Sequence, residues 1–291
     1  MAQLRIPALF SVAGKNVLIT GGARGIGRML ATGFAVNGAH VYITSRDEAA
    51  AHAAQTAVQE AAAEAGSQGS CIALPPATLT TSAGCKAMVK QFAAHASHMD
   101  VCIANAGVSW ATPLDRALDK LWDRTLALNV SSVFYTAQAA IPMLQAAVAS
   151  SSGGSVANQS GTGRSPARFI ALGSMAGHTP QGLPTYAYDA SKAAVHHLVK
   201  KLAQELAPQQ VTANAIAPGL VPTDMSRSAI AASGDQATAA SVPLGRLGNA
   251  ADVVGAALYL ASPAGAWCTG TVLTVDGGMS NLFVSYPAST H

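Results

Sequence analysis

Charge is scarce in this sequence: Asp, Glu, Lys and Arg together make up 11% of the 291 residues, with a formal net charge of +3. No run of Lys and Arg occurs, nor any basic stripe interleaved with aromatics. A balance so mild and dispersed argues against a nucleic-acid partner. Aromatic residues are also few, at 5%, although half of the chain is hydrophobic. Alanine fills the gap, so the core is expected to be built from small and branched aliphatic side chains. There is enough of them for a large core and a buried subunit interface. No apolar run reaches the roughly 18 residues that a transmembrane helix needs. Residues 1–15 lack the apolar stretch of a secretory signal. The expectation is a soluble cytoplasmic protein with no membrane partner, an organellar one staying open if a transit peptide has been removed.

Cysteine is limited to Cys71, Cys85, Cys102 and Cys268. None forms a C-x-x-C pair and each sits in or beside an apolar segment, which predicts reduced, buried thiols. No His or carboxylate neighbours stand at ligand spacing, so no metal site is expected.

What the chain does have is alternation. Short apolar stretches at Asn16–Thr20, His40–Thr44, Ser70–Leu74, Asp100–Ala104, Arg168–Leu172, Val211–Ile216 and Thr271–Val275 read as seven strands. Helix-period segments lie between them at Gly25–Asn37, Glu48–Gly66, Ser82–Ser97, Val130–Ala149, Ser191–Ala207 and Ala250–Ala261. This order predicts a doubly wound α/β fold of the Rossmann type, with a mostly parallel seven-stranded sheet. A ligand crevice belongs at the carboxyl ends of its strands. No domain boundary or internal repeat is visible, so residues 1–291 read as a single domain. Ser150–Pro166, rich in Ser and Gly, reads as a solvated surface loop. Leu220–Gly248, poor in large apolar residues, reads as a lid over the crevice.

The first strand runs into Thr20-Gly21-Gly22-Ala23-Arg24-Gly25-Ile26-Gly27 and then a helix. Glycines there allow a sharp turn and bring backbone N–H groups close to a pyrophosphate at a helix N-terminus. The second strand ends Thr44-Ser45-Arg46. Ser45 stands where an NAD site usually has a carboxylate for the ribose 2′-hydroxyl. Arg46 and Arg24 are placed to pair with a 2′-phosphate, which favours NADP(H). Asp47 weakens this preference if its side chain, and not that of Ser45, faces the ribose.

Tyr188 and Lys192 are four residues apart, one turn along a helix face. A neighbouring ammonium stabilises a phenolate, so the pair makes an acid/base out of a side chain that ordinarily titrates near 10. Ser174, just past the fifth strand, can orient a carbonyl oxygen. Asn129 lies near the start of a long helix, either holding a water that feeds protons to Lys192 or serving as a helix cap. His196 and His197 read as helix-surface or interface residues. Tyr186, six residues before Lys192, falls on the wrong helix face to act as the base.

Taken together, Thr20–Gly27, Asn105-Ala106-Gly107, Asn129, Ser174, Tyr188, Lys192 and Pro218-Gly219 followed by Thr223 resemble the short-chain dehydrogenase/reductase family in order and spacing. The resemblance covers roughly residues 14–280. It implies that Tyr188 moves the proton, Lys192 tunes it and binds the nicotinamide ribose, Ser174 holds the substrate carbonyl and Asn129 completes a proton relay. It further implies that Gly21, Ala23, Arg24, Gly25, Ile26 and Gly27 hold the cofactor phosphates, with Ser45 and Arg46 beside the adenosine ribose. Thr78 and Leu79 would lie by the adenine, Asn105, Ala106 and Gly107 would form the cofactor floor, and Pro218, Gly219, Val221 and Thr223 would meet the nicotinamide. Thr78 stands where the family often has an acid. Asp276-Gly277-Gly278 is similar to the family's C-terminal signature near a subunit interface, and members are commonly homo-oligomers, tetramers or dimers.

Within the family, Ser191–Leu198 and Ala203–Pro208 look most like 3-oxoacyl-carrier-protein reductases, especially the rhamnolipid-biosynthesis type. The expected reaction is NADPH-dependent reduction of a ketone or 3-oxoacyl thioester carbonyl. One alternative is an oxidative alcohol or hydroxysteroid-type dehydrogenase. The other is a catalytically silent NADP(H)-binding sensor, which the presence of both Tyr188 and Lys192 disfavours. An acyl-carrier partner would want basic residues near the mouth, and Arg227 and Arg246 are the residues the sequence offers.

Overall fold

Seven strands form one sheet in the computed structural model, which describes residues 4–150, 165–227, 230 and 234–281. They are β1 (Asn16–Thr20), β2 (His40–Thr44), β3 (Ser70–Ala73), β4 (Val101–Ala104), β5 (Ala167–Leu172), β6 (Val211–Pro218) and β7 (Val272–Val275). Their order is β3-β2-β1-β4-β5-β6-β7. Every pairing is parallel, so the sheet is wholly rather than mostly parallel. The order reverses between β1 and β4, whose register places Ile19 beside Ile103. The carboxyl ends of these two strands therefore open the crevice that such a reversal creates.

The helices are α1 (Ile6–Leu9), α2 (Gly25–Val36), α3 (Glu48–Glu64), α4 (Ser82–Ala93), α5 (Asp119–Leu126), α6 (Ser132–Ser150), α7 (Tyr186–Leu206), α8 (Asp235–Ala240) and α9 (Ala250–Ala261). Side-chain alternation along the strands divides the core in two. Leu18, Tyr42, Cys102, Phe169 and Ala213 pack towards α4, α6 and α7. Val17, Ile19, Val41, Ile43, Val101 and Ile103 pack towards α2, α3 and α9. Both faces are covered, as a parallel sheet requires.

Local chemistry sets the helix starts. Asp47 accepts from Ala50 N at 3.0 Å and caps α3. Thr81 Oγ1 accepts from Gly84 N at 3.1 Å and caps α4. Asn249 and Asp252 close a capping box on α9. Each satisfies backbone donors that have no partner within the helix.

Several helical features depart from the sequence pattern, among them the end of α4 at Ala93 rather than Ser97. The α7 helix begins at Tyr186, five residues before the expected start, because Thr185 Oγ1 donates to Asp189 Oδ1 at 2.9 Å and stabilises the first turn. The α5 helix is an added element; it is polar along most of its length and buries Thr125 alone. Before α6 lies a π-helical turn, Ala127–Ser131. Of the Ser150–Pro166 loop, residues 151–164 lie outside the described residues, as do parts of the Leu220–Gly248 segment.

All four cysteines are free thiols, with Cys71, Cys85 and Cys102 buried and Cys268 half-buried. Burial pushes the Cys71 thiol up to about 12 and Cys102 higher still. Thiols so disfavoured as thiolates are packing residues, not nucleophiles.

Candidate active site

The glycine turn is shaped by what surrounds it. Gly21 and Gly25 have φ of +68° and +53°, a region open to glycine at little cost. At Gly27 a Cβ would lie 2.2 Å from the Gly21 carbonyl oxygen and 2.5 Å from Asn105 Nδ2. Asn105 is the reason for the crowding: its amide donates to the Thr20 and Gly21 carbonyls at 2.9 and 3.2 Å. Thr20 Oγ1 in turn accepts from the backbone N–H groups of Asn105 and Ala106 at 3.0 and 3.1 Å. The end of β4 thereby locks the turn after β1.

At the end of β2, Ser45 Oγ accepts from Asp47 N at 3.2 Å. The Asp47 carboxylate caps α3 through Oδ1, which holds it against the start of that helix. Arg24 and Arg46 are exposed, line the same cleft and form no ion pair among the described residues.

The cleft has a volume of about 740 Å³. It brings together Gly21, Ala23, Arg24, Gly25, Ile26 and Gly27 with Ser45, Arg46, Thr78, Leu79, Asn105, Ala106 and Gly107. At its other end lie Ser174, Tyr188, Lys192, Pro218, Gly219, Val221 and Thr223. Asn129 does not line it.

Tyr188 and Lys192 rise from one face of α7, with Lys192 Nζ 5.5 Å from the centroid of the Tyr188 ring. Lys192 is buried, and Nζ donates to the Leu172 carbonyl at 2.6 Å. Desolvation brings its ammonium down to about 8. Burial raises the Tyr188 phenol above its usual value; a hydrogen bond with Ser174 pulls it back, and the Asp189 carboxylate adds to the rise. The net direction is upward, against the depression expected from the ammonium. Ser174 Oγ accepts from Ala176 N at 3.2 Å, which fixes the oxygen and leaves its proton free to donate.

Asn129 sits inside the π-helical turn and caps no helix. Its Oδ1 accepts from Val108 N, while Nδ2 donates to the Val108 carbonyl and to Ser191 Oγ, each at 2.9 Å. It clamps the loop after β4 to the helix that carries Tyr188 and Lys192.

Tyr186 is 47% exposed and does not line the cleft. Arg227 is paired with Asp224 at 2.7 Å, and Arg246 with Asp252 at 2.7 and 2.8 Å. Their charges are compensated, and neither lines the cleft. A further basic residue lining the cleft, not anticipated from the sequence, is Arg124 on α5; its guanidinium lies 5.6 Å from the centroid of the Trp110 ring. Its signal was a cation in a polar segment five residues before Asn129. His197 is exposed as expected, whereas His196 is 5% exposed and lies inside the protein.

Comparison with known proteins places this arrangement among close relatives. A family model described as Enoyl-(Acyl carrier protein) reductase matches residues 21–280. The rhamnolipids biosynthesis 3-oxoacyl-(acyl-carrier-protein) reductase of Pseudomonas aeruginosa is 38% identical over 270 residues, covering 92% of this chain and 97% of that protein. The 3-oxoacyl-(acyl-carrier-protein) reductase FabG of Escherichia coli is 33% identical over 268 residues, covering 91% of this chain and 97% of FabG. The solved Pseudomonas aeruginosa RhlG/NADP active-site complex superposes with a TM-score of 0.79 at 37% identity, over 94% of this chain and 98% of that one.

Proposed function

Because the chain belongs to the short-chain dehydrogenase/reductase family of oxidoreductases, we propose that it reduces a ketone or 3-oxoacyl thioester carbonyl to the hydroxyl with NADPH. The observation that carries this reading is the convergence of Ser174, Tyr188 and Lys192 at one end of the cleft whose other end is the glycine turn. Two hydroxyls meeting at one point suit a single carbonyl oxygen better than a carbon–carbon double bond, so the reading follows the 3-oxoacyl reductases among the relatives.

The cleft fits a 2′-phosphorylated dinucleotide. The space beside Gly27 is too small for any side chain, which lets backbone N–H groups approach a pyrophosphate. Arg24 and Arg46 stand free for a second phosphate, with no acid at Ser45 to repel it. Thr78 and Leu79 would flank the adenine, Asn105 to Gly107 would support the nicotinamide half, and Pro218, Gly219, Val221 and Thr223 would close over the carboxamide. When bound, the nicotinamide supplies the hydride.

The protein's own groups do the rest. Ser174 donates a hydrogen bond to the carbonyl oxygen and orients it. Tyr188 passes its proton to that oxygen as negative charge develops there. Lys192, charged at neutral pH, stabilises the phenolate left behind. Asn129 keeps the loop at Val108 and the helix at Ser191 in register. A phenol that holds its proton can serve as the acid that reduction requires. The exposed Phe134 on α6 and the 93% exposed Trp267 favour a homo-oligomer, which sedimentation measures directly. The central test is NADPH consumption against a panel of ketones and 3-oxoacyl thioesters. Tight NADPH binding with no turnover of any carbonyl would leave the sensor reading standing in its place.

A further inference from the structure

The catalytic stripe on α7 does not stop at Lys192. Tyr188, Lys192 and His196 follow at intervals of four on one helix face, and His196 is buried. Its imidazole runs between two glycines that flank the Ser174 turn. A Cβ on Gly173 would come within 2.3 Å of His196 Nε2, and one on Gly177 within 2.5 Å of Cε1. Both positions are free of side chains where the ring passes. Ser174 N points at Nε2 at 3.5 Å, and the ring lies against His178, tilted by 43°, at 4.4 Å between centroids.

We propose that His196 is a positioning residue: its neutral ring, protonated on Nδ1, accepts from the Ser174 backbone N–H and fixes the Ser174 hydroxyl relative to Tyr188 and Lys192. The proposal rests on the carbonyl-reductase reading of the same site.

The geometry gives the reason for a histidine here. The turn Ser174–Gly177 leaves the sheet at β5, so its backbone amides have no neighbouring strand to pair with. Ser174 N needs an acceptor that reaches it from α7, one turn beyond Lys192. An imidazole is flat enough to pass between Gly173 and Gly177 and carries an unprotonated nitrogen on its far edge. Accepting at Nε2 leaves the proton on Nδ1, a buried atom with no well-formed hydrogen bond that faces Gly177. Desolvation, aided by the charges of His178, Lys192 and Lys200, takes the ring down to about 4. The ring therefore stays an acceptor through the physiological range. One helix then carries the proton donor, the cation and the support for the second catalytic hydroxyl, that of Ser174.

Two measurements test this on the full chain with NADPH bound. The first is a double-mutant cycle between His196 and Ser174, read as kcat. His196→Leu is expected to lower kcat by up to about 100-fold, the loss that a misplacement of about 1 Å can cause. KM for NADPH should stay close to the parent's. His196→Gln, which can set an amide oxygen where Nε2 lies, should recover most of the loss. In a Ser174→Ala background, His196→Leu should cost little more, because the group it holds is gone. An equal loss in both backgrounds would show that His196 acts through general packing and would overturn the proposal. The second measurement needs no turnover: nitrogen NMR of the His196 ring between pH 5 and pH 8. A neutral ring with its proton on Nδ1 is expected. A proton on Nε2, or a charged ring, would overturn the proposal even if the wild type reduces no carbonyl, an outcome that would separately defeat the proposed function.

Discussion

Lys192 Nζ donates to the carbonyl oxygen of Leu172 at 2.6 Å, tying the helix of the Tyr188–Lys192 pair to the last residue of β5, two residues before Ser174. The ammonium thus reaches across to the strand that delivers its catalytic neighbour, and its position beside the phenol ring is set by the sheet. Lys192 is buried and its pKa is lowered to about 8, so the arrangement has a signature in pH. At pH values below about 8, folded and unfolded chains both hold the proton, and the penalty for burying the charge is fully present. Between about 8 and the ordinary value of 10.5, the folded chain sheds the proton while the unfolded chain keeps it. Stability should therefore rise with pH across that window. Chemical denaturation of wild type and Lys192→Met at pH 7.5 and pH 10 checks this: the difference in stability between the two proteins should change in the wild type's favour at the higher pH. A difference independent of pH would mean the lysine is not buried as a cation.

Tyr188→Phe removes one oxygen and little else. Loss of general acid catalysis typically lowers kcat by about 10²–10⁴-fold. NADPH binding, followed by fluorescence, should change little, because the ring and Lys192 stay in place. Full turnover by this variant would remove Tyr188 from the mechanism.

Arg46→Ala should separate the two nicotinamide cofactors. A charge-assisted hydrogen bond to a phosphate contributes about 1.5–3 kcal/mol, or about 10- to 100-fold in affinity. The loss should fall on NADPH and spare NADH, since only NADPH carries the 2′-phosphate. Equal losses for the two would place Arg46 elsewhere on the cofactor.

Asp47→Ala tests the neighbouring position from the opposite side. Its carboxylate caps α3 through Ala50 N, so the change should cost about 0.5–2 kcal/mol of stability and leave the NADPH-to-NADH preference unaltered. A marked shift in that preference would mean that the acid faces the ribose after all.

Gly27→Ala should damage the turn itself. The new methyl would meet the Gly21 carbonyl at 2.2 Å, a rigid backbone atom that cannot swing aside. Overpacking of this kind costs about 1–3 kcal/mol. Calorimetry should show a lower melting temperature together with weakened NADPH binding. Unchanged binding would detach this turn from the cofactor.

The sheet was legible in the sequence because each strand is a short apolar run between breakers, and all seven fall within one or two residues of where the pattern put them. The Tyr188–Lys192 face was legible because helical spacing is a local property. Elements whose definition is tertiary were harder to read. The α5 helix buries one residue, so hydrophobic periodicity gave no signal for it. Asn129 caps no helix, and its partners Val108 and Ser191 are 21 and 62 positions away, so its clamping role had no local signal. His196 looked like a surface residue because the two glycines that admit its ring are Gly173 and Gly177, on another element. Arg227 and Arg246 looked free until Asp224 and Asp252 were found beside them.

The wide turn at Ala127–Ser131 sets the seating of the helix that follows it. One residue more than an α-helical turn is accommodated there, which shifts the angular phase of everything downstream by about 100°. Val133, Ala137, Ala140 and Leu144 face the core only because of that phase. A one-residue deletion in the turn would rotate a 19-residue helix out of its seat and pull Asn129 away from Val108 and Ser191.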